Sequence, residues 1–132
     1  MTISRNPDMP YPFEKLEVWK LATGLVKRVY RMAAGLPRTE MLGLGDQMRR
    51  SAISVGLNIA EGRGADSDAE FRRYLGIALK SLVEVIAGTK LALELEMVSK
   101  TDAAELCSAC DELEAKLRKL RMRLVTKAER KA

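Results

Sequence analysis

An all-α fold, specifically an antiparallel up-down-up-down four-helix bundle, is what this sequence predicts, and three observations predict it. The apolar share is 47% of 132 residues and is mostly Leu, Ala, Val and Met, whereas aromatics reach only 5%. That mixture favours helices over β-sandwiches. Four successive segments carry apolar residues at alternating steps of three and four, the spacing of one helix face. The links between them are short, so consecutive helices turn back on one another. A chain of this length is one domain. Its parts are an extended N-terminal arm over 1–12, a four-helix bundle over 13–126 and a basic C-terminal tail over 127–132.

The arm holds Pro7, Pro10 and Pro12, which disfavour a helix there. The first helix is expected from about Glu14 to Gly35. Val18, Ala22, Leu25, Val29, Met32 and Leu36 form one stripe, and Leu16, Trp19, Thr23, Val26, Tyr30 and Ala33 form a second beside it, which together predict a wide buried face. Gly35 and Pro37 end it.

The second helix is expected from about Glu40 to Gly62, with Thr39 as its N-cap. Met41, Leu44, Met48, Ala52, Val55 and Ile59 form its apolar stripe. Beside them a polar stripe of Gln47, Ser51, Ser54, Asn58 and Glu61 keeps the same spacing.

The third helix opens on Ser67-Asp68-Ala69-Glu70, a capping-box pattern. Phe71, Leu75, Ala78, Leu82, Val85, Thr89 and Ala92 form its seam. Leu79, Val83, Ile86 and Leu93 lie on another side, with Ile77, Leu91 and Leu95 between. A helix apolar on most sides wants burial on most sides. One small bundle core cannot cover it all, so the excess points to an interface with copies of the same chain. The fourth helix is expected from Thr101 or Asp102, on a narrow seam of Leu106, Cys110, Leu113, Leu117, Leu120 and Leu124.

Composition excludes several function classes. There is no histidine, which removes His-based triads and acid–base catalysis, Cys2His2 fingers and the Glu-x-x-His di-iron motif. Two cysteines are too few for a disulfide scaffold or a four-thiolate zinc site. No stretch approaches the ~20 uncharged apolar residues of a membrane span, and the N-terminus lacks the apolar core of a signal peptide. The expectation is a cytoplasmic protein with no membrane partner, metal, cofactor, small-molecule substrate or catalytic residue.

The net charge of +5 is unevenly spread. Residues 116–132 hold eight basic residues and one acid, a net +7, so residues 1–115 sum to −2. A basic end attracts nucleic acid or an acidic protein; a solvated helix face is the plainer alternative. The phosphate-contact candidates are Arg49, Arg50, Arg63, Arg72, Arg73, Lys116, Arg118, Lys119, Arg121 and Arg123. The arginines of the body could equally form salt bridges to Asp46, Glu70 or neighbouring subunits. The polar stripe, with Glu84 on the third helix, invites a catalytic reading through its carboxylates. No nucleophile or metal motif accompanies it, so cross-helix hydrogen bonding that sets register is favoured. Arg49 or Arg50 is a candidate partner for Glu84. Cys107-Ser108-Ala109-Cys110 matches C-x-x-C but falls inside a helix with Cys110 on the leucine seam, the setting of small core cysteines rather than of a redox pair.

Three blocks carry a family resemblance. Phe13-Glu14-Lys15-Leu16-Glu17-Val18-Trp19 is similar to F-x-x-L-x-V-W. Leu44 to Gly62 is similar to L-x-x-Q-x-R-R-A-x-x-S-x-x-x-N-I-A-E-G. Glu70 to Glu84 is similar to E-F-x-x-F-L-x-I-A-x-G-S-x-x-E, with Lys80 at the usual glycine. Over roughly residues 13–98 the chain resembles the four-helix-bundle proteins encoded by intervening sequences in bacterial large-subunit ribosomal RNA genes. The resemblance implies a homopentamer and kinship with the accessory proteins of diversity-generating retroelements, basic pentamers that bind nucleic acid and a reverse transcriptase. The expected function is a non-catalytic oligomeric scaffold that binds RNA or DNA, with RNA favoured; the alternative is a protein–protein interaction hub with no nucleic-acid role.

Overall fold

A computed structural model describes residues 8–125. Residues 1–7 of the expected arm and the whole tail over 127–132 lie outside the described residues. The elements are α1 (Glu17–Ala34), α2 (Leu44–Arg63), α3 (Asp68–Glu94) and α4 (Lys100–Arg123), with 3-10 turns at Pro12–Lys15 and Arg38–Glu40. No strand occurs among them. The predicted all-α class and the four-helix bundle are what the chain adopts.

Each helix packs on its sequence neighbours, and α1 also packs on α4, closing a four-cornered bundle. The directions follow from individual contacts. Trp19 lies against Gly56 and Leu36 against Gly45, so α1 and α2 are antiparallel. Phe71 and Tyr74 meet Gly62, while Met48 meets Gly88, so α2 and α3 are antiparallel. Arg121 near the end of α4 reaches Arg72 near the start of α3. Lys116 reaches Glu17 across α4 and α1.

The core is built from most of each seam read from the sequence; Met41, ahead of the start of α2, is 40% exposed instead. Val18, Ala22, Leu25 and Val29 of α1 meet Met48, Ala52, Val55 and Ile59 of α2, Leu75, Ala78, Leu82 and Val85 of α3, and Leu106, Cys110, Leu113 and Leu117 of α4. The second α1 stripe is not the deep face expected of it. Leu16, Trp19 and Val26 are half-buried and Tyr30 is exposed. Trp19 lies against Gly56 of α2 and Leu16 lies beside Leu120 of α4, while Ala33 of the same stripe is fully buried.

Helix starts differ from the reading in two places. Thr39 caps nothing: it lies within the 3-10 turn Arg38–Glu40 that follows Pro37, and α2 starts five residues later, after Gly43, with no side-chain cap. The fourth helix begins at Lys100 because Ser99, one residue earlier, accepts from the Asp102 backbone N–H at 3.0 Å. Ser67 caps α3 as expected, accepting from Glu70 N–H at 3.2 Å. The Glu70 carboxylate turns to Arg73, 3.2 Å away. At its far end α3 closes with Glu96 in the left-handed region (φ 57°) and a bond from Met97 N–H to the Ala92 carbonyl.

The α2–α3 contact is the most intimate in the bundle, because small residues line it. A Cβ on Gly62 would sit 2.9 Å from both Phe71 Cδ1 and Tyr74 Cβ, and one on Gly88 would sit 2.8 Å from Met48 Cγ. The Gly62 neighbours are a ring edge and a backbone-proximal carbon, which cannot move aside alone. Gly62→Ala is therefore expected to lower stability by about 1–2 kcal/mol in urea denaturation, despite alanine's better helix propensity. Lys80, which stands at the family's usual glycine, is exposed and takes no part in this close approach.

Candidate nucleic-acid interface

Two polar features stand out, a seam between α2 and α3 and a basic end of the bundle. The seam is built from the stripe on α2 and from Ser81 and Glu84 on α3. Ser51 Oγ lies 2.9 Å from Glu84 Oε2 and 2.9 Å from the Gln47 carbonyl. Gln47 Nε2 donates to Glu84 Oε2 at 3.4 Å. The Ser54 and Ser81 hydroxyls share a bond of 2.8 Å, and Asn58 Nδ2 donates to the Ser54 carbonyl at 2.8 Å. Ser51 is only 3% exposed, so its hydroxyl needs these acceptors. The seam thus bonds across helices and sets register. Glu61 stands apart from it, exposed at the end of the stripe. Ser81 was not singled out in the sequence, although Tyr74, Ser81, Glu84 and Gly88 share one α3 face at steps that place them opposite the α2 stripe.

Neither arginine proposed for Glu84 reaches it. Arg50 Nε pairs with Asp46 at 3.0 Å, one turn back on its own helix. Arg49 donates from Nη2 to the Met41 carbonyl at 2.8 Å and lies 6.0 Å from the centre of the Tyr30 ring. The local i, i+4 partner and the open carbonyl of the α1–α2 link are nearer than α3. Arg49 is thereby a brace for that link.

The antiparallel topology sorts the remaining cations. Arg63 ends α2, Arg72 and Arg73 open α3, and Lys116, Arg118, Lys119, Arg121 and Arg123 close α4, so all eight lie toward one end of the bundle. Arg49 and Arg50 lie toward the other. Not all eight are free to meet a ligand. Arg121 Nε donates to the Arg72 carbonyl at 3.2 Å, and its guanidinium covers Gly76, where a Cβ would sit 3.2 Å from Nη2. It fastens α4 to α3. Arg73 pairs with Glu70 and lies 4.5 Å from the Tyr74 ring centre. Arg118 pairs with Glu114 at 3.3 Å, and Lys116 with Glu17 at 3.3 Å. These are exposed surface pairs that add little to stability, and their cations still contribute to the positive field at that end.

The C-x-x-C pair is part of the packing. Cys110 is wholly buried and Cys107 half-buried, one turn apart on α4, and both are free thiols. Burial, with smaller contributions from Cys107 and the nearby carboxylates Asp111 and Glu114, pushes the Cys110 thiol up from 9.0 to about 12. Its folded value lies above its unfolded value, so its contribution to stability is complete below pH ~9 and is lost as pH rises toward 12. The expected result with a thiol-titrating disulfide reagent at pH 8 is that Cys107 reacts in the folded protein and Cys110 only after denaturation.

Among the described residues no group of three or more His, Cys, Asp or Glu side chains could hold a metal ion, and no helix is long and apolar enough to cross a membrane. An up-and-down bundle with a hydrogen-bonded seam on one flank and cations gathered at one end places the chain among the small four-helix bundles. The chain belongs to the 23S rRNA-intervening sequence protein family, whose model matches residues 14–119. A solved structure from Bacteroides thetaiotaomicron, a protein with unknown function from the S23 ribosomal protein family, has a similar fold. Its TM-score is 0.75 at 24% identity, over 80% of this chain and 95% of that one. No curated protein matches the chain.

Proposed function

We propose that this chain is a non-catalytic scaffold of the cytoplasm that assembles with copies of itself and binds nucleic acid, RNA in preference to DNA, through the basic end of its bundle. The observation that carries the reading is the convergence of Arg63, Arg72, Arg73, Lys116, Arg118, Lys119, Arg121 and Arg123, from three helices, at one end. Phosphate contacts dominate nucleic-acid affinity, and they need clustered cations. The family's description, which concerns intervening sequences of 23S rRNA, favours RNA.

Self-assembly is supported by what α2 and α3 leave exposed. Leu57, Val83, Leu91 and Leu95 are each more than half exposed, at 54%, 55%, 55% and 58%. Water contact with such side chains is unfavourable by ~25 cal/mol per Å² of apolar surface, and a second copy would remove it. The family resemblance suggests five copies. A ring would present several basic ends to one strand and multiply weak contacts by avidity.

The test is retention of single-stranded RNA on a filter at low salt, with sedimentation of the full chain at micromolar concentration. Retention and a multimer are expected. Loss of all retention would remove the nucleic-acid reading, and a folded monomer would remove the assembly. Pulled-down proteins that survive nuclease treatment, without RNA retention, would favour the interaction hub.

A further inference from the structure

Where the first turn of α1 meets the last two turns of α4, the surface holds a cavity of about 150 Å³. Its floor is apolar, made by Leu16, Val18 and Leu120, and its polar lining is Lys116, Lys119, Arg123 and Glu17. We propose that this cavity binds a terminal phosphate monoester of an RNA strand. The inference rests on the nucleic-acid reading above and names which part of the strand the α1–α4 corner takes.

Size comes first. About 150 Å³ is room for roughly five waters at ~30 Å³ each. It is well below the ~300–1,000 Å³ of pockets that enclose a drug-sized ligand. A hollow of that size suits a compact group such as one tetrahedral oxyanion. Charge comes second. Lys116 is occupied by Glu17 at 3.3 Å, and the two cancel. No carboxylate among the described residues pairs with Lys119 or Arg123. The lining therefore offers two uncompensated positive charges. A phosphate monoester carries about −1.5 to −2 at pH 7, whereas each internal diester linkage carries one negative charge. The cavity matches the terminal group and over-matches the internal one. The apolar floor excludes water from one side and strengthens the attraction.

Position is the third argument. The same α1–α4 groove has another hollow at its opposite end, lined by Asp102 and Glu105 as well as Arg28 and Arg31. Carboxylates there repel an anion. At the basic end the one acid of the corner, Glu17, is paired with Lys116, and the corner lies beside the cations assigned to the rest of the strand.

The experiment uses the full chain and one single-stranded RNA sequence in three forms, with a 5′-phosphate, with a 3′-phosphate and with hydroxyls at both ends. Affinities are read by fluorescence anisotropy at low salt. One phosphorylated form is expected to bind at least about tenfold more tightly than the hydroxyl form, since the terminal group adds about −1.5 to −2 of charge facing two cations in a partly screened site. The K119A/R123A variant should bring that ratio to one, while R63A should weaken all three forms alike and keep it. Both sets of side chains are exposed, so folding is not at stake. Equal affinity for all three forms, or a preference that survives K119A/R123A, overturns the cavity assignment and leaves RNA binding standing. If no RNA binds, the nucleic-acid reading falls, and phosphate titration by 31P NMR decides the cavity separately. Broadening abolished by K119A/R123A would keep it as an oxyanion site, and no broadening would end it.

Discussion

Leu82→Ala is expected to destabilise the folded chain by about 3–4 kcal/mol in urea denaturation, the largest single-residue effect anticipated here. Leu82 lies midway along α3 with no exposed surface, in the core to which all four helices contribute side chains. Truncation removes three carbon atoms from contact and leaves a cavity. The fully buried Val55, Leu75, Val85 and Leu113 share this core, and each sits on a helix held by both of its neighbours. Collapse into the hole is therefore limited, which keeps the cost near the middle of the ~2–5 kcal/mol range for buried leucine rather than at its foot. Leu82→Met conserves volume and is expected to cost less than ~1.5 kcal/mol. A loss below ~1 kcal/mol for the alanine variant would mean that Leu82 is not held in a close-packed core.

Removing the charges of Lys116, Arg118, Lys119 and Arg123 together by alanine is expected to weaken RNA binding by about 100–1,000-fold near 50 mM salt, with the fold intact. These side chains surround the α4 end without bracing it. Their ion pairs to Glu17 and Glu114 are exposed and add little to stability. Arg121 is left out of the set because its bond to the Arg72 carbonyl and its cover over Gly76 hold α4 on α3. A variant at Arg121 would confound binding with packing. Arg49→Ala is a matched control: it removes a conspicuous cation, but one that braces the α1–α2 link at the opposite end. It should change stability more than binding.

Much of this was legible in the sequence, for identifiable reasons. A 3-4 step of Leu, Val and Ala survives any uncertainty in helix ends, so the four seams and the buried place of Cys110 could be read directly. The polar stripe from Gln47 to Asn58 was legible for the same reason, since its period matched the apolar stripe beside it. Helix starts were harder. Thr39 has the chemistry of a cap, yet Pro37 two residues earlier and Gly43 four residues later favour a 3-10 turn and a delayed start. Ser99, Thr101 and Asp102 all cap well, and only the folded chain shows that Ser99 takes the role. Pairings were the least legible. Arg50 has a long side chain with acids on two helices in principle within reach, and only the packed structure shows Asp46 taking it. The gathering of eight cations at one end needed the antiparallel order of all four helices, because Arg63, Arg72 and Lys116 are distant in sequence.

The surface of α3 gives the same lesson in reverse. Its excess of apolar residues was visible from composition and spacing. The structure accounts for Leu79 by burial and leaves Val83, Leu91 and Leu95 in contact with solvent. Those three, with Leu57 of α2, are where a second copy would be felt. Replacing them by serine should lower the association state and leave the core unaffected.

The most direct test of basic-end binding is the salt dependence of RNA affinity for the full chain. The logarithm of the association constant is expected to fall linearly with the logarithm of salt concentration, with a slope of about −3 or steeper, since each neutralised phosphate of a single strand contributes ~0.7. The four-residue variant should flatten that slope by most of its value. Binding that ignores salt, a slope unchanged in the variant, or no saturable binding at low salt would contradict the account.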